Sequence, residues 1–522
     1  MTRPRGSHRI AYDATPLNAP SADLPARLGW LLTMSRLHHP DASFADGDRF
    51  AACLAAAGFP ADGSVVGWWE SGQELVPYEA ITAYEQVLGL RPDLITSTAG
   101  YLWASPPGPA AHAMRPRLDP SSREFSRRLD ELVHGAERGT AAARDWQSLA
   151  WHLSAVPMMH LRSPVWEVLA RRMVALLPRS VDVAYRQLST AAMSLADLPR
   201  ARDFLVDAIA GYISDPAVQV VANPLVLLDN LPTRQAARLV LEVVERPVNL
   251  LGYQMGIWLA TQKLARNELS AAERTALQML VLRAWRRDPE RAAEDLAELV
   301  AALPPGMRAT LVQASAMAGR PGLGYAVEHA EDVAPATAQG FAGRVADAAR
   351  DGAPQDPAYD EDRMLTRLVR EALFHRDTAR RHGAALLLSA SPFASSMADD
   401  LLARLATPTD PAPQRVRMAV LVRYLGDESH RLRLVRMLDD DVEEVAVPLI
   451  QALGHLEYSV TSDHTVRSAL RRDWSSRERA KLYVLGMTGS PGLPAIARSE
   501  RAPGWQRSAA QWWLDIGPAV RA

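Results

Sequence analysis

Toward the C-terminal end of the chain, a glycine follows an apolar residue at near-even intervals: Gly426 after Tyr424-Leu425, Gly454 after Ala452-Leu453, Gly486 after Val484-Leu485 and Gly517 after Asp515-Ile516. The intervals are 28, 32 and 31 residues, room for two short helices and two turns each. Glycine at a helix end can take the left-handed conformation that closes it, so these glycines are expected to terminate helices. A short helix pair cannot bury its apolar face alone. Neighbouring pairs must therefore stack into a continuous core, which commits this part of the chain to a layered helical architecture.

The stretch Asp439 to Gly454 shows the unit best, with three aspartates opening a helix where they satisfy its N-terminal dipole. On these residues, about 375 to 518 resembles a HEAT-like α-solenoid. Earlier in the chain apolar residues also recur at helical spacing, as in Val165, Trp166, Leu169, Met173, Leu176 and Leu177, and again in Leu205, Val206, Ile209 and Ile213. Strand-like alternation is scarce, so the fold is expected to be all-α: an N-terminal helical domain followed by a long α-solenoid of HEAT- or TPR-like helix pairs. Pro106, Pro107, Pro109, Pro116 and Pro120 interrupt any helix between 105 and 122, and Gly352, Pro354 and Pro357 do the same between 351 and 360. The expected division is a flexible basic arm over 1–20, a helical domain over 21–104, a Pro-rich linker over 105–122, a TPR-like or irregular array over 123–350, a linker over 351–360 and HEAT-like repeats over 361–522.

At 522 residues the chain is long enough for two to four domains of roughly 100–200 residues, or for a repeat array. The 58 basic residues nearly balance 60 acidic ones, and the net charge of −2 gives no whole-chain argument for a polyanionic partner. Lys263 and Lys481 are the only lysines, so 56 of the basic residues are arginine, a skew that reflects a GC-rich genome. Neither lysine follows a Gly-rich loop, which disfavours Walker-type, Schiff-base and Ser-Lys chemistry. The single cysteine, Cys53, excludes an internal disulfide and a Cys-rich zinc site. The basic N-terminus is not followed by an apolar run of roughly 7–15 residues, and no apolar stretch approaches the ~20 residues of a membrane span, so a cytoplasmic location is expected.

Residues 24 to 100 break into short amphipathic helices. Leu28, Leu31, Leu32 and Leu37 mark the first; Phe50, Ala51 and Leu54 mark a second, ended by Gly58 before Pro60. A third is expected from Asp62, as its cap, to Ser71, with Gly72 as terminator; a fourth follows Pro77, carries Ile81, Tyr84, Val87 and Leu88, and stops at Gly89. The residues Phe50 to Gly58, then Ser64-Val65-Val66-Gly67-Trp68-Trp69-Glu70-Ser71-Gly72, then Val76-Pro77 and Tyr84 to Leu90, resemble an XRE (Cro/repressor-like) helix-turn-helix, and more narrowly the large actinobacterial regulators that place this module before a long helical region. The resemblance implies a dimeric transcriptional regulator that binds operator DNA, with the third helix in the major groove. It makes Trp69 core, Glu70 a corner residue, and Gly63, Ser64, Val65, Trp68, Ser71 and Gln73 the residues facing the groove or its phosphates. The helical region would then serve dimerisation and bind a protein or small-molecule effector.

The sequence departs from that pattern in charge. Positions matching Gly67, Trp68 and Gln73 are commonly Ser, Arg and Arg in the family. Residues 21–100 hold Arg27, Arg36, Arg49 and Arg91 against ten acids, a net of −6. Basic side chains supply most non-specific affinity for DNA, so positive charge is expected from Arg49 and from the arm residues Arg3, Arg5 and Arg9, unless these are incidental arginines of a tail. Trp68 either packs on sugars or is covered by the arm or a partner subunit. The acidity also keeps open a second reading: a non-enzymatic scaffold whose helix-turn-helix no longer binds DNA.

Other constellations point away from catalysis, and neither a metal nor a cofactor is expected. No His-Glu-x-x-His is present; His38 and His39 cannot share a helical face, whereas His375 and His382 could lie two turns apart on one helix. Gly319 to Gly324 is Gly-rich but follows a helix, and no nucleophile elbow occurs. Arg431, Arg433, Arg436, Arg471, Arg472, Arg477 and Arg479 form either a solvated face paired with acids or an edge for an acidic partner. Trp505, Trp512 and Trp513 are expected to seal the last repeat.

Overall fold

The apolar periodicity produces helices throughout. The computed structural model describes residues 10–19, 21–104, 114–287, 296, 298–317, 331, 333–353, 357, 359, 361–407 and 409–522. Among these the protein is all-α, with single β bridges between Ser180 and Val520 and between Glu331 and His375. No helix among the described residues is long and apolar enough to cross a membrane.

Five short helices open the chain: α1 (Leu24–Leu37), α2 (Gly47–Ala56), α3 (Gly63–Glu70), α4 (Tyr78–Val87) and α5 (Leu94–Ala104). Aspartates start the first three, since Asp23, Asp46 and Asp62 each accept from backbone N–H groups of the first turn that have no partner within the helix. Gly58, Gly72 and Gly89 end α2, α3 and α4 with positive φ, where a side chain would be strained. Helix α1 is buried over most of its length because it is covered from several sides, by α3 and α5 and by the helix Thr378–Ala390. Trp30 Nε1 donates to the Asp362 carboxylate at 3.1 Å, and Arg27 Nη2 donates to Glu371 at 2.7 Å. Helix α5 packs on Asp182–Ala196. The five helices thus share one apolar core with the rest of the chain.

The arm expected over 1–20 is held in place from Ile10 onward. Ile10 and Ala11 are buried, and the fully buried Asp13 accepts from Arg27 Nε at 2.7 Å and from the Thr15 hydroxyl at 2.6 Å. Arg367 donates to the Asp13 carbonyl at 2.5 Å, and Arg363 lies 4.6 Å from the centre of the Tyr12 ring. The physical reason is a charge cluster, Asp13, Arg27, Glu371 and Arg367, that is satisfied only when this segment lies across α1 and the helix Arg363–Phe374. Arg3, Arg5 and Arg9 lie outside the described residues, as do Gly319 to Gly324 and residues 105–113 of the Pro-rich segment.

In the C-terminal part the helices Ala412–Leu425, Glu443–His455, Ser476–Met487 and Gly504–Ile516 pack each on the next. The recurring glycines lie at helix ends as expected, Gly426 and Gly517 as the C-cap residues of Ala412–Leu425 and Gly504–Ile516. Only Gly517 has positive φ; Gly454 and Gly486 lie inside their helices. A Cβ on Gly454 would stand 2.8 Å from the Tyr483 ring, and one on Gly486 1.9 Å from the Trp513 ring. At Gly454 and Gly486 the next helix also brings an aromatic ring against bare backbone. Trp512 and Trp513 are buried there, 4.9 Å apart and edge to face. The chain then returns to its middle: Val520 N donates to Arg179 O at 2.8 Å, and Val181 N donates to Val520 O at 3.2 Å. His375 and His382 are not on one helix, because His375 ends Arg363–Phe374 and its Nε2 donates to Leu17 O, while His382 belongs to Thr378–Ala390.

Candidate nucleic-acid interface

Helix α3 is eight residues long, too short to be stable alone, so its position is set by what grips its buried side. Val66, Trp69 and Glu70 face inward. Arg36 of α1 forms a two-pronged ion pair with Glu70, Nε to Oε1 at 2.7 Å and Nη2 to Oε2 at 2.6 Å, and its remaining nitrogen donates to Phe44 O and Ala45 O. The Tyr84 hydroxyl of α4 lies 3.2 Å from Glu70 Oε1, donating to it. Burial works against the Arg36 charge, yet the Glu70 carboxylate prevails and holds the guanidinium above its ordinary range. Burial, with the Glu70 charge beside it, pushes the Tyr84 hydroxyl well up, so it remains a donor.

Two glycines permit the close approach of α1. A Cβ on Gly29 would meet the Trp69 and Glu70 carbonyl oxygens at 2.7 Å, and one on Gly72 would meet the Ala26 backbone at the same distance. At the other end Gly63 lies under the Asp48 side chain of α2, which would contact a Cβ there. The clasp thus fixes both ends of α3 and leaves one face outward.

The sequence-derived residues divide along this geometry. Ser64, Trp68, Gln73 and Arg49 are exposed, and Trp68 keeps 45% of its surface accessible although it is one of the largest apolar side chains of the module. Ser71 is half-buried, its hydroxyl donating to Trp68 O at 3.1 Å. Gly63 and Val65 are also half-buried, and Val65 packs against the core, so these two serve the fit of the helix more than its outer face. Arg27, Arg36 and Arg91 are engaged by carboxylates, the last by Asp182. That leaves Arg49 as the exposed arginine of the five helices that forms no ion pair among the described residues, beside exposed Asp48, Asp62 and Glu74.

Sequence reasoning placed Glu70 at the corner but did not find its partner. Arg36 lies 34 positions away, and helical periodicity reports a buried face without naming the charge buried in it. The acidity of the module was legible as a net charge of −6 over residues 21–100, but not which acids would stand exposed near α3, among them Asp48 of α2. In the terminal region, Arg431 pairs with Glu428 and Arg433 with Asp399, as a solvated face would, while Arg471 and Arg472 are exposed. No family model and no curated protein matches the chain.

Proposed function

We propose that the protein is a DNA-binding transcriptional regulator that acts as a dimer, with α3 read into the major groove of operator DNA. The observation that carries this reading is the outward face of α3, Ser64 and Trp68, with exposed Gln73 just past its end, on a short helix whose other side is clasped by the buried Arg36–Glu70–Tyr84 group. One such helix makes few base contacts, each worth about 1–3 kcal/mol, so specificity calls for two half-sites and hence two copies. The phosphate contacts come from Arg49 and from Arg3, Arg5 and Arg9. The succession of packed C-terminal helices supports a HEAT-like solenoid that dimerises and takes an effector.

The test is fluorescence polarisation of the full chain at low salt against genomic fragments. If four arginines per protomer each neutralise one phosphate, affinity falls with salt at a logarithmic slope of about −4 per protomer and about −7 per dimer. Binding with a sequence preference and this shallow slope is the expected result; no preference for any fragment sinks the reading.

The rim of Asp48, Asp62 and Glu74 favours one alternative, a non-enzymatic scaffold whose α3 face docks a basic protein segment. Deleting residues 1–9 separates the two while leaving the packed segment from Ile10 in place. Loss of DNA affinity supports the regulator. DNA affinity absent from both forms, with retained binding of an Arg-rich peptide, supports the scaffold.

A further inference from the structure

Arg471, Arg472, Asp473 and Trp474 follow one another in the loop between the helices Val460–Ser468 and Ser476–Met487, and all four are exposed. The backbone of this loop is pinned from beneath. Glu478, buried, accepts from Arg471 N with one carboxylate oxygen and from Lys481 Nζ at 2.7 Å with the other, and Lys481 Nζ also donates to Ala469 O at 2.8 Å. Gln506 of the helix Gly504–Ile516 donates to Arg471 O, and Ser475 caps Ser476–Met487 by accepting from Glu478 N at 3.3 Å. The loop therefore presents its side chains outward from a fixed main chain, which lowers the ordering cost of any contact they make.

Trp474 keeps 66% of its surface accessible. The Trp505 ring stands edge to face with it at 5.1 Å, and the Arg479 guanidinium lies 5.4 Å from its ring centre, so the ring is propped in place yet mostly uncovered. The charge around it is the reverse of that around α3. Residues 471–507 hold eight basic side chains against Asp473, Glu478 and Glu500, a net of +5. Arg472, Arg498 and Arg501 are exposed and form no ion pair among the described residues. Arg501 lies in the turn that leads into Gly504–Ile516, the helix of Trp505, and Arg498 ends Leu493–Arg498, which packs on that helix. On the other side of the loop, Arg471 and Arg477 share a cleft with Asp439, Asp441, Glu443 and Asp473, and neither Trp474 nor these three free arginines line it. The acids thus bound the positive surface on that side.

We propose that this surface binds single-stranded nucleic acid, with a base stacked on Trp474 and the flanking phosphates on Arg472, Arg498 and Arg501. An uncovered aromatic ring among unpaired arginines suits a partner that carries flat apolar faces and negative charge together. An acidic peptide would meet the arginines and leave the ring unused, and a duplex offers phosphates while its base faces stay stacked inside. A single strand brings both. The site is separate from α3 and does not rest on the operator reading, so the failure of either leaves the other standing.

The experiment is fluorescence polarisation of the full chain at low salt with a labelled oligothymidylate of about 12 nucleotides, with polyglutamate of matching charge and a duplex of the same length as separate arms. Expected is saturable binding of the oligothymidylate, weaker binding of polyglutamate, and a logarithmic salt slope of about −2 for three phosphates on a single strand. Trp474→Ala is expected to weaken the oligothymidylate about tenfold and to leave the duplex arm unchanged, while Trp474→Phe, which keeps a ring, recovers most of the loss. Arg472→Gln is expected to weaken it a few-fold and serves in place of Trp474→Ala should circular dichroism find that variant unfolded. The proposal is overturned if the oligothymidylate gives no saturable binding, if polyglutamate binds as tightly, if the folded variant binds the oligothymidylate as the parent does, or if Trp474→Ala weakens the duplex equally.

Discussion

The arginines of the N-terminal helices and Arg423 of the helix Ala412–Leu425 are held in opposite ways. Arg27 is enclosed between Asp13 and Glu371, and Arg36 is matched atom for atom by Glu70. Arg423, also drawn inward, meets an amide and a hydroxyl. In the first region guanidinium and carboxylate complete one another and the result is cohesion: α3 has a fixed address. In the second the cation is satisfied by neutral acceptors, without a carboxylate among the described residues. The residue type is the same, and the difference lies entirely in what each fold position brings opposite it.

The strongest challenge to this contrast is Glu70→Ala. It strands the buried Arg36 guanidinium and is expected to cost about 3–5 kcal/mol in urea unfolding; a loss under about 1 kcal/mol would mean that the clasp does not hold α3. Next comes acid. His382 and His455 are neutral in the fold with pKa values lowered by burial to about 3, whereas in the unfolded chain histidine titrates near ~6.5. The unfolded state therefore binds more protons in that window, and the stability they confer, full above about pH 6.5, falls as pH drops toward 3. Asp13 and Glu371 are lowered too, against the effect of their burial, by hydrogen bonds and by the arginine charges around them. Their share is present above the ordinary carboxylate range and disappears below it. Between about pH 7 and 4.5 the histidine loss is opposed by Glu85, whose carboxyl is raised by burial to about 7, so His382→Gln should make the unfolding midpoint fall less steeply with acid than it does in the parent.

Asp62→Ala removes the acceptor for Val65 N and is expected to cost about 1 kcal/mol, read as a shift in the urea midpoint. Arg423→Gln, by contrast with Glu70→Ala, takes away a cation that has no carboxylate, and its unfolding free energy should stay within about 1 kcal/mol of the parent. Smallest of all is Ser64→Ala on the outward face, expected to change stability by less than about 0.5 kcal/mol while altering the operator preference measured by polarisation.

The N-terminal helices were legible because short-range signals coincide there. Asp62 caps α3, Pro77 precedes α4, and Gly58, Gly72 and Gly89 take the conformations their positions suggest. The repeat was legible as a period of helix ends, but not the second role that Gly454 and Gly486 play there. A glycine at the end of an apolar run looks the same whether it terminates a helix or admits the neighbouring helix, and the Trp513 ring that Gly486 admits lies 27 positions away in sequence. The two histidines set on one helix by their spacing fell on separate elements because Asp377 starts a new helix between them by capping Ala379 N.

By itself the sequence determined the all-helical character, the ends of the short helices and the acidity around α3, since propensity, capping and charge count act over a few residues. Only the tertiary structure decided which charges are free. Arg36 is neutralised from α3, Arg27 from Asp13 and from Glu371, which is 344 positions away, and Arg423 by no carboxylate among the described residues. Ion pairing depends on distance in space, and the distance between residues remote along the chain is fixed by how the helices pack.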